Sequence, residues 1–223
     1  MIPIRDLYRS LQTPVATIWL IAINVVVFLY EILLDPYSRN HFVTEYGLIP
    51  ADFRWFDIIT SMFLHGGWMH LIANMMFLWV FGDNIEDILG RARYLLFYIL
   101  CGVAAALTQL AANPESKVPL IGASGAIGGV MGAYLVKFPH ARIVMLVPFI
   151  FFFTVELPAL VVLLYWFILQ VFSGFGSIAD VHLGRGGTAY FAHIGGFLTG
   201  MVLIWLMRPS EPYRSRRDLS WNR

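Results

Sequence analysis

Long apolar runs alternate with short polar connections along this chain, and six of the runs read as helical membrane spans. The first covers Thr17–Leu34 and is rich in Ile and Val. The second begins at Trp68 and reaches about Phe81, and the third covers Tyr94–Ala112. The fourth, from Ser124 to about Val136, is short and made largely of Gly and Ala. The fifth starts at Pro158, where a first helical turn tolerates proline, and runs to Phe175. The sixth, Thr188–Met207, is closed by Arg208-Pro209. The pattern predicts an all-α membrane protein: a bundle of six transmembrane helices over residues 1–209, followed by a polar cytoplasmic tail over 210–223. The connection over 35–67, long for so compact a chain, is expected as a long interfacial loop between the first two spans. It mixes Phe53, Trp55, Phe56, Ile58, Ile59, Met62 and Phe63 with polar residues, as an interfacial or re-entrant segment does.

Composition removes the ordinary soluble domain from consideration. The chain is 59% hydrophobic and 13% charged, with a mean hydropathy of +0.71. A hydrocarbon core of ~30 Å takes about 20 helical residues to cross, so 223 residues leave little beyond the spans. Charge changes the picture only through its placement. Arg5, Arg9, Arg91, Arg93, Lys137, Arg142, Arg208, Arg214, Arg216, Arg217 and Arg223 fall on one side of the predicted bundle; Arg39, Arg54, Lys117 and Arg185 fall on the other. The excess of positive charge lies on the cytoplasmic side of membrane proteins, which places both termini in the cytoplasm; the cell membrane is the expected host. A net charge of +1 singles out no partner; lipids are expected and nucleic acid is not. The single cysteine, Cys101, forms no disulfide within the chain. No small-residue cleavage site follows a compact apolar stretch in the first twenty residues, so the first span is expected to remain as an anchor.

Polar groups inside spans are costly, and three sets stand near one end of them. Gly122-Ala-Ser124-Gly125 opens the fourth span. Ser124 there reads either as an N-cap or as a nucleophile set among the free N–H groups that an oxyanion needs. His193 stands early in the sixth span, which runs in the same direction, so Ser124 and His193 share a depth. The small-xxx-small pairs Gly125/Gly129, Gly128/Gly132 and Gly196/Gly200 let helices approach closely. His70 and Asn74, four residues apart, share one face of the second span and can both donate hydrogen bonds; His65 reads as a clamp on the long connection. Serine, histidine base and an amide/imidazole donor pair at one level together describe acyl transfer. The nearest carboxylate before His193, Asp180, is expected in a loop, which favours a dyad over a triad. Asn24 and Glu31 read as helix–helix contacts.

At His65…His70-x-x-x-Asn74, Gly82-Asp-Asn-Ile-Glu86, Gly122-Ala-Ser124-Gly125 and Ala192-His193-Ile-Gly-Gly196 the chain resembles the rhomboid family of intramembrane serine proteases. The resemblance implies a rhomboid-like six-helix fold whose active site opens to the extracytoplasmic side, and transmembrane proteins, single-span or otherwise, as substrates cut near their outer ends. It implies Ser124 as nucleophile and His193 as base, with Asn74, His70 and the Ser124 N–H as oxyanion donors. His65, Glu86, Gly122, Gly125, Gly128, Gly196 and Gly200 would support them. The Gly82–Glu86 string is expected as a turn after the second span. No metal or cofactor is implied. The family's Trp-Arg order is reversed here as Arg54-Trp55, and Gly128 stands where some members carry a Tyr that stacks on the histidine. Tyr190, about one turn before His193, is the candidate to replace it.

Three rivals have distinct signatures. A catalytically inactive relative binding membrane clients would have lost Ser124 or His193, and both are present. A metalloprotease would need His65, His70 and His193 to converge without the His-Glu-x-x-His pattern. A transporter would show paired broken helices or midplane charges rather than polar groups gathered at one level.

Overall fold

The computed structural model of the chain describes residues 2–8, 10–148, 152–181 and 189–208. The polar tail expected over 210–223, the beginning of the sixth run at Thr188, Arg185 and Arg9 fall outside the described residues.

Every one of the six apolar runs folds as a helix. In chain order α1 is Val15–Leu33, α2 Pro36–Tyr46, α3 Asp57–Thr60, α4 Trp68–Leu89, α5 Arg91–Ala112, α6 Ser124–Lys137, α7 Ala159–Val181 and α8 Tyr190–Leu206. Among the described residues, α1 and α5 have the length and apolarity to cross a bilayer; Ala159–Gly174 and Tyr190–Leu206 are apolar but shorter. The helix α6, with 14 residues, is only about 21 Å long at 1.5 Å per residue.

Three expectations need correction. The fold is not wholly helical: β1 (Ile2–Asp6), β2 (Arg142–Pro148) and β3 (Phe152–Pro158) form an antiparallel sheet in the order β1-β2-β3. Arg142 pairs with Pro158, and Ile2 with Leu146. The stretch after α6 is dense in Ile, Val and Phe, which fit a pleated surface, and its prolines stand at strand ends where no ladder N–H is missed. Pro158 accordingly closes β3, and the helix starts one residue later. Second, Gly82–Glu86 is no turn. The helix α4 runs unbroken through it to Leu89 and stops at Gly90, whose φ of +76° suits glycine. Third, the connection after α1 is largely helical. Asp35 caps α2 by accepting from the Tyr37 and Ser38 N–H groups, and Arg54 pairs with Glu45 and Asp57 at 2.9 Å each. An antiparallel bridge, Leu48 with Leu120, ties the connection to the segment before α6.

The core is organised around α6, in which every residue from Gly125 to Leu135 is buried. It lies between α4, α5 and α8, and it meets α8 backbone to backbone. A Cβ on Gly196 would overlap the Gly125 carbonyl oxygen, and one on Gly200 that of Gly129. On the other side, a Cβ on Gly132 would overlap the Phe197 carbonyl. Such contact between helices is open only to glycine.

A polar cluster closes the end of the bundle at the C-terminus of α4. The buried Glu86 carboxylate accepts from the Ala16 N–H (2.9 Å), the Thr17 N–H (2.8 Å) and the Thr17 hydroxyl (2.8 Å). Pro14 gives α1 no side-chain cap of its own, so the charge on α4 satisfies the helix start and its dipole. Asp6 accepts from Asn84 Nδ2 and from the Tyr134 hydroxyl, both at 2.6 Å. Burial, offset in part by those bonds, pushes its carboxyl up from 3.8 to about 6. Asn24 corrects another reading. It is buried, yet its amide donates to Leu20 of its own helix (2.7 Å) rather than across to a neighbour. Glu31 accepts from the His65 backbone N–H at 3.1 Å, joining α1 to the end of the connection.

Candidate active site

Ser124 is the first residue of α6, and the turn before it explains its exposure to chemistry. Gly122 adopts φ +118°, a conformation that glycine alone adopts at little cost, and its N–H donates to the Ser61 carbonyl at 2.8 Å. Ala123 then occupies the cap position with no side-chain cap. Ser124 is therefore not the N-cap. Its hydroxyl is turned instead to the first turn of α8, where His193 Nε2 lies 2.7 Å from Oγ. The contact exists because α8 can press this close. Gly128 faces the His193 carbonyl, with 3.0 Å left for any Cβ, and Gly125 faces Ala105 of α5 on the other side.

His193 is held from three directions and is 9% exposed. Its Nδ1 lies 2.8 Å from Gln170 Oε1 on α7. The Trp166 ring, one turn earlier on α7, lies over it at 5.7 Å with a 37° tilt. Tyr190 stands perpendicular at 6.5 Å, so the overlapping ring belongs to Trp166 rather than Tyr190. Gln109 on α5 accepts from the Ala192 N–H at 3.2 Å, satisfying one of the free donors at the start of α8.

The donors of α4 approach from the opposite side. A Cβ on Gly122 would lie 2.7 Å from His70 Nε2 and 3.6 Å from Asn74 Nδ2, so both nitrogens are directed at the turn that delivers Ser124. His70 Nδ1 accepts from the Gly66 N–H at 3.4 Å, a long bond that leaves the proton on Nε2. Asn74 is 6% exposed, and its Nδ2 has no partner among the described residues. A buried amide N–H without an acceptor is costly in the free protein, and an acceptor bound there would relieve that cost. An oxygen arriving beside Ser124 would meet donors, and the serine proton has an imidazole to move to.

The remaining expected residues distribute as follows. His65 packs its ring against His70 at 5.1 Å, but neither ring nitrogen has a partner among the described residues. Its backbone, and not its imidazole, makes the contact that fixes the connection. Glu86 lies at the far end of α4, where it caps α1. Asp180 lies in α7 rather than in a loop, and its side chain is outside the described residues. No three His, Cys, Asp or Glu side chains gather as metal ligands among the described residues. Gln170 and Gln109 escaped the sequence reading of the site, and Trp166, which that reading sets beside a substrate gate on the fifth span, packs on His193 instead. A lone amide within the apolar run Tyr165–Phe172 was the available signal for Gln170.

Comparison with known proteins gives a consistent picture. A Rhomboid domain model matches residues 52–210, well over half of the chain. Rhomboid protein 1, mitochondrial, of Saccharomyces cerevisiae is 32% identical over 206 residues, covering 89% of this chain and 55% of that protein. The putative rhomboid protease YdcA of Bacillus subtilis is 40% identical over 93 residues, 42% of this chain and 46% of its own. Rhomboid-like protein 11, chloroplastic, of Arabidopsis thaliana is 29% identical over 209 residues, 85% of this chain and 64% of its own. The chain thus spans about half to two thirds of the length of these relatives. With its helical bundle and these matches, the chain belongs to the rhomboid family of integral membrane proteins.

Proposed function

We propose that this chain is an intramembrane serine endopeptidase that cleaves transmembrane substrates near their extracytoplasmic ends through an acyl-enzyme. The observation that carries the proposal is the 2.7 Å contact of Ser124 Oγ with His193 Nε2, made at a helix N-terminus beside an unpartnered Asn74 amide. Two relatives from Bacillus subtilis, the putative rhomboid protease YdcA and rhomboid protease GluP, support the same reaction class by name.

Ser124 Oγ attacks the scissile carbonyl while His193 Nε2 accepts the hydroxyl proton. The negative charge that develops on the carbonyl oxygen is met by Asn74 Nδ2, His70 Nε2 and the Ser124 N–H. Collapse of the tetrahedral species breaks the C–N bond as His193 returns its proton to the leaving amine. A water molecule, deprotonated by the same imidazole, then releases the acyl group and restores Ser124.

In this reading α1, α4, α5, α6, α7 and α8 cross the membrane as a domain over 1–209. The shortness of α6 leaves its N-terminus, with Ser124, below the surface on the outer side, and water reaches it from there. The Lys/Arg asymmetry orients both termini and the tail over 210–223 to the cytoplasm, with the cell membrane as the host. The test is cleavage of a tagged single-span reporter by the purified protein in detergent, with and without chelator. Ser124→Ala and His193→Ala are expected to abolish cleavage while folding is kept, and chelator to leave the parent unaffected. Undiminished cleavage by Ser124→Ala would overturn the nucleophile, and inhibition by chelator would overturn the metal-free dyad.

A further inference from the structure

The dyad leaves one nitrogen of its base unexplained. His193 Nδ1 points away from Ser124 into the α7–α8 contact, and there it meets an amide, not a carboxylate. Gln170 Oε1 lies 2.8 Å from it, while Gln170 Nε2 donates to the Trp166 carbonyl one turn back on its own helix at 3.4 Å. Those two contacts orient the amide. Turning it over would set Oε1 against the Trp166 carbonyl, two acceptors facing each other. Since Oε1 can only accept, Nδ1 must be the protonated nitrogen, and Nε2 is left with its lone pair toward the Ser124 hydroxyl 2.7 Å away.

We propose that Gln170 is a positioning residue: it fixes the tautomer and ring orientation of His193 in which Nε2 is the base, the place that a carboxylate holds in a triad, with a neutral acceptor instead. The proposal rests on the protease reading for its kinetic consequences, but not for the hydrogen bond itself. The neutrality of the acceptor has its own meaning. A carboxylate at this distance would stabilise the imidazolium; an amide orients the ring and leaves its basicity to the other neighbours. Those neighbours are named readily. Ser124 faces His193 from α6, Trp166 and Gln170 from α7, and Tyr190 from its own helix; Thr108 and Gln109 of α5 meet the adjoining Gly195 and Ala192, and His70 of α4 lies within electrostatic reach.

Two variants of similar size separate positioning from mere packing. Gln170→Leu fills the space without an acceptor, and Gln170→Glu keeps the acceptor and adds charge. The first readout is nitrogen NMR of 15N-histidine-labelled protein, with His193→Gln identifying the resonance. The parent is expected to hold the Nδ1–H tautomer, and Gln170→Leu to lose it. The second readout is kcat and KM for reporter cleavage against pH. Gln170→Leu is expected to lower kcat at least tenfold with KM unchanged. Gln170→Glu is expected to retain turnover but to move the acid limb of the profile upward by about one pH unit, because a nearby opposite charge favours the protonated imidazole. A parent that holds the Nε2–H tautomer overturns the inference, as does a Gln170→Leu protein with the parent's kcat and pH profile. A parent that holds the Nδ1–H tautomer but neither cleaves the reporter nor reacts at Ser124 overturns the protease reading alone, with the hydrogen bond upheld.

Discussion

Two polar clusters lie on α4, and they differ in how far their hydrogen bonds are satisfied. Glu86, near its C-terminus, takes three donors from α1 at 2.8–2.9 Å. Asn74, twelve residues earlier and thus about 18 Å away along the helix, is as deeply buried but leaves its amide nitrogen without a partner among the described residues. Both side chains are polar groups in an apolar bundle, and residue type alone does not separate them. Satisfaction does. A carboxylate with three bonds has nothing left to bind and acts as a rivet between α1 and α4. A buried donor aimed at the turn that delivers Ser124 is, in the proposed reading, left open for a ligand, and Ser124, His193 and Gln170 are aligned at 2.7 and 2.8 Å beside that turn.

The sharpest way to break this comparison is Asn74→Ala. If Asn74 serves the transition state, reporter cleavage falls on the order of 10²–10³-fold, about 3–4 kcal/mol of barrier, while the thermal midpoint in detergent is unchanged or higher. A fall in both would make Asn74 a second structural residue like Glu86. The mirror experiment is Glu86→Ala. It strips three bonds and leaves the Ala16 and Thr17 N–H groups orphaned, with an expected loss of about 3 kcal/mol in stability. Activity per folded molecule should hold, measured by titrating the fraction that survives heating.

Gly196→Ala tests the seam on which the Ser124–His193 contact depends. The added methyl meets the Gly125 carbonyl, so α8 must move outward, costing about 2 kcal/mol and lengthening the dyad contact. Activity should fall more than stability does, and the paired reporter and thermal measurements show it.

The smallest effect concerns the satisfied end again. Folded Asp6 holds its proton up to about pH 6, against an ordinary value of 3.8. Between those values the folded chain binds more protons than the unfolded one, so the stability this group contributes at low pH is lost as pH rises through 6. With its partial exposure allowed for, the contribution is about 1–2 kcal/mol. Asp6→Asn should flatten that part of the stability profile, followed by unfolding at pH 4, 5 and 6.5.

What the sequence made legible follows the same division. Ser124, His193, His70 and Asn74 stand out because polar groups in apolar runs are rare, and their shared level follows from helix direction. The glycine seam was legible as spacing, since Gly125, Gly129, Gly196 and Gly200 repeat every four residues. Gln170 was not, because a search for a third member looked for a carboxylate, and the amide lies on a helix whose rotation only packing decides. The strands β2 and β3 fall in the stretch left without an element between the fourth and fifth predicted spans, for their apolar run lacks the strict alternation of a strand with one wet face. Glu86 was noticed for its motif, but its role as a cap for α1 depends on contact between residues about seventy positions apart.

The measurement that bears most directly on the central claim is covalent labelling of the detergent-solubilised protein with a fluorophosphonate probe, the modified residue being located by peptide mass. The parent should be labelled at Ser124, and His193→Ala, still folded, should lose at least 99% of the labelling rate, the loss of about 3 kcal/mol or more that follows removal of a base. Labelling at equal rates in parent and His193→Ala, or at a residue other than Ser124, would contradict the dyad.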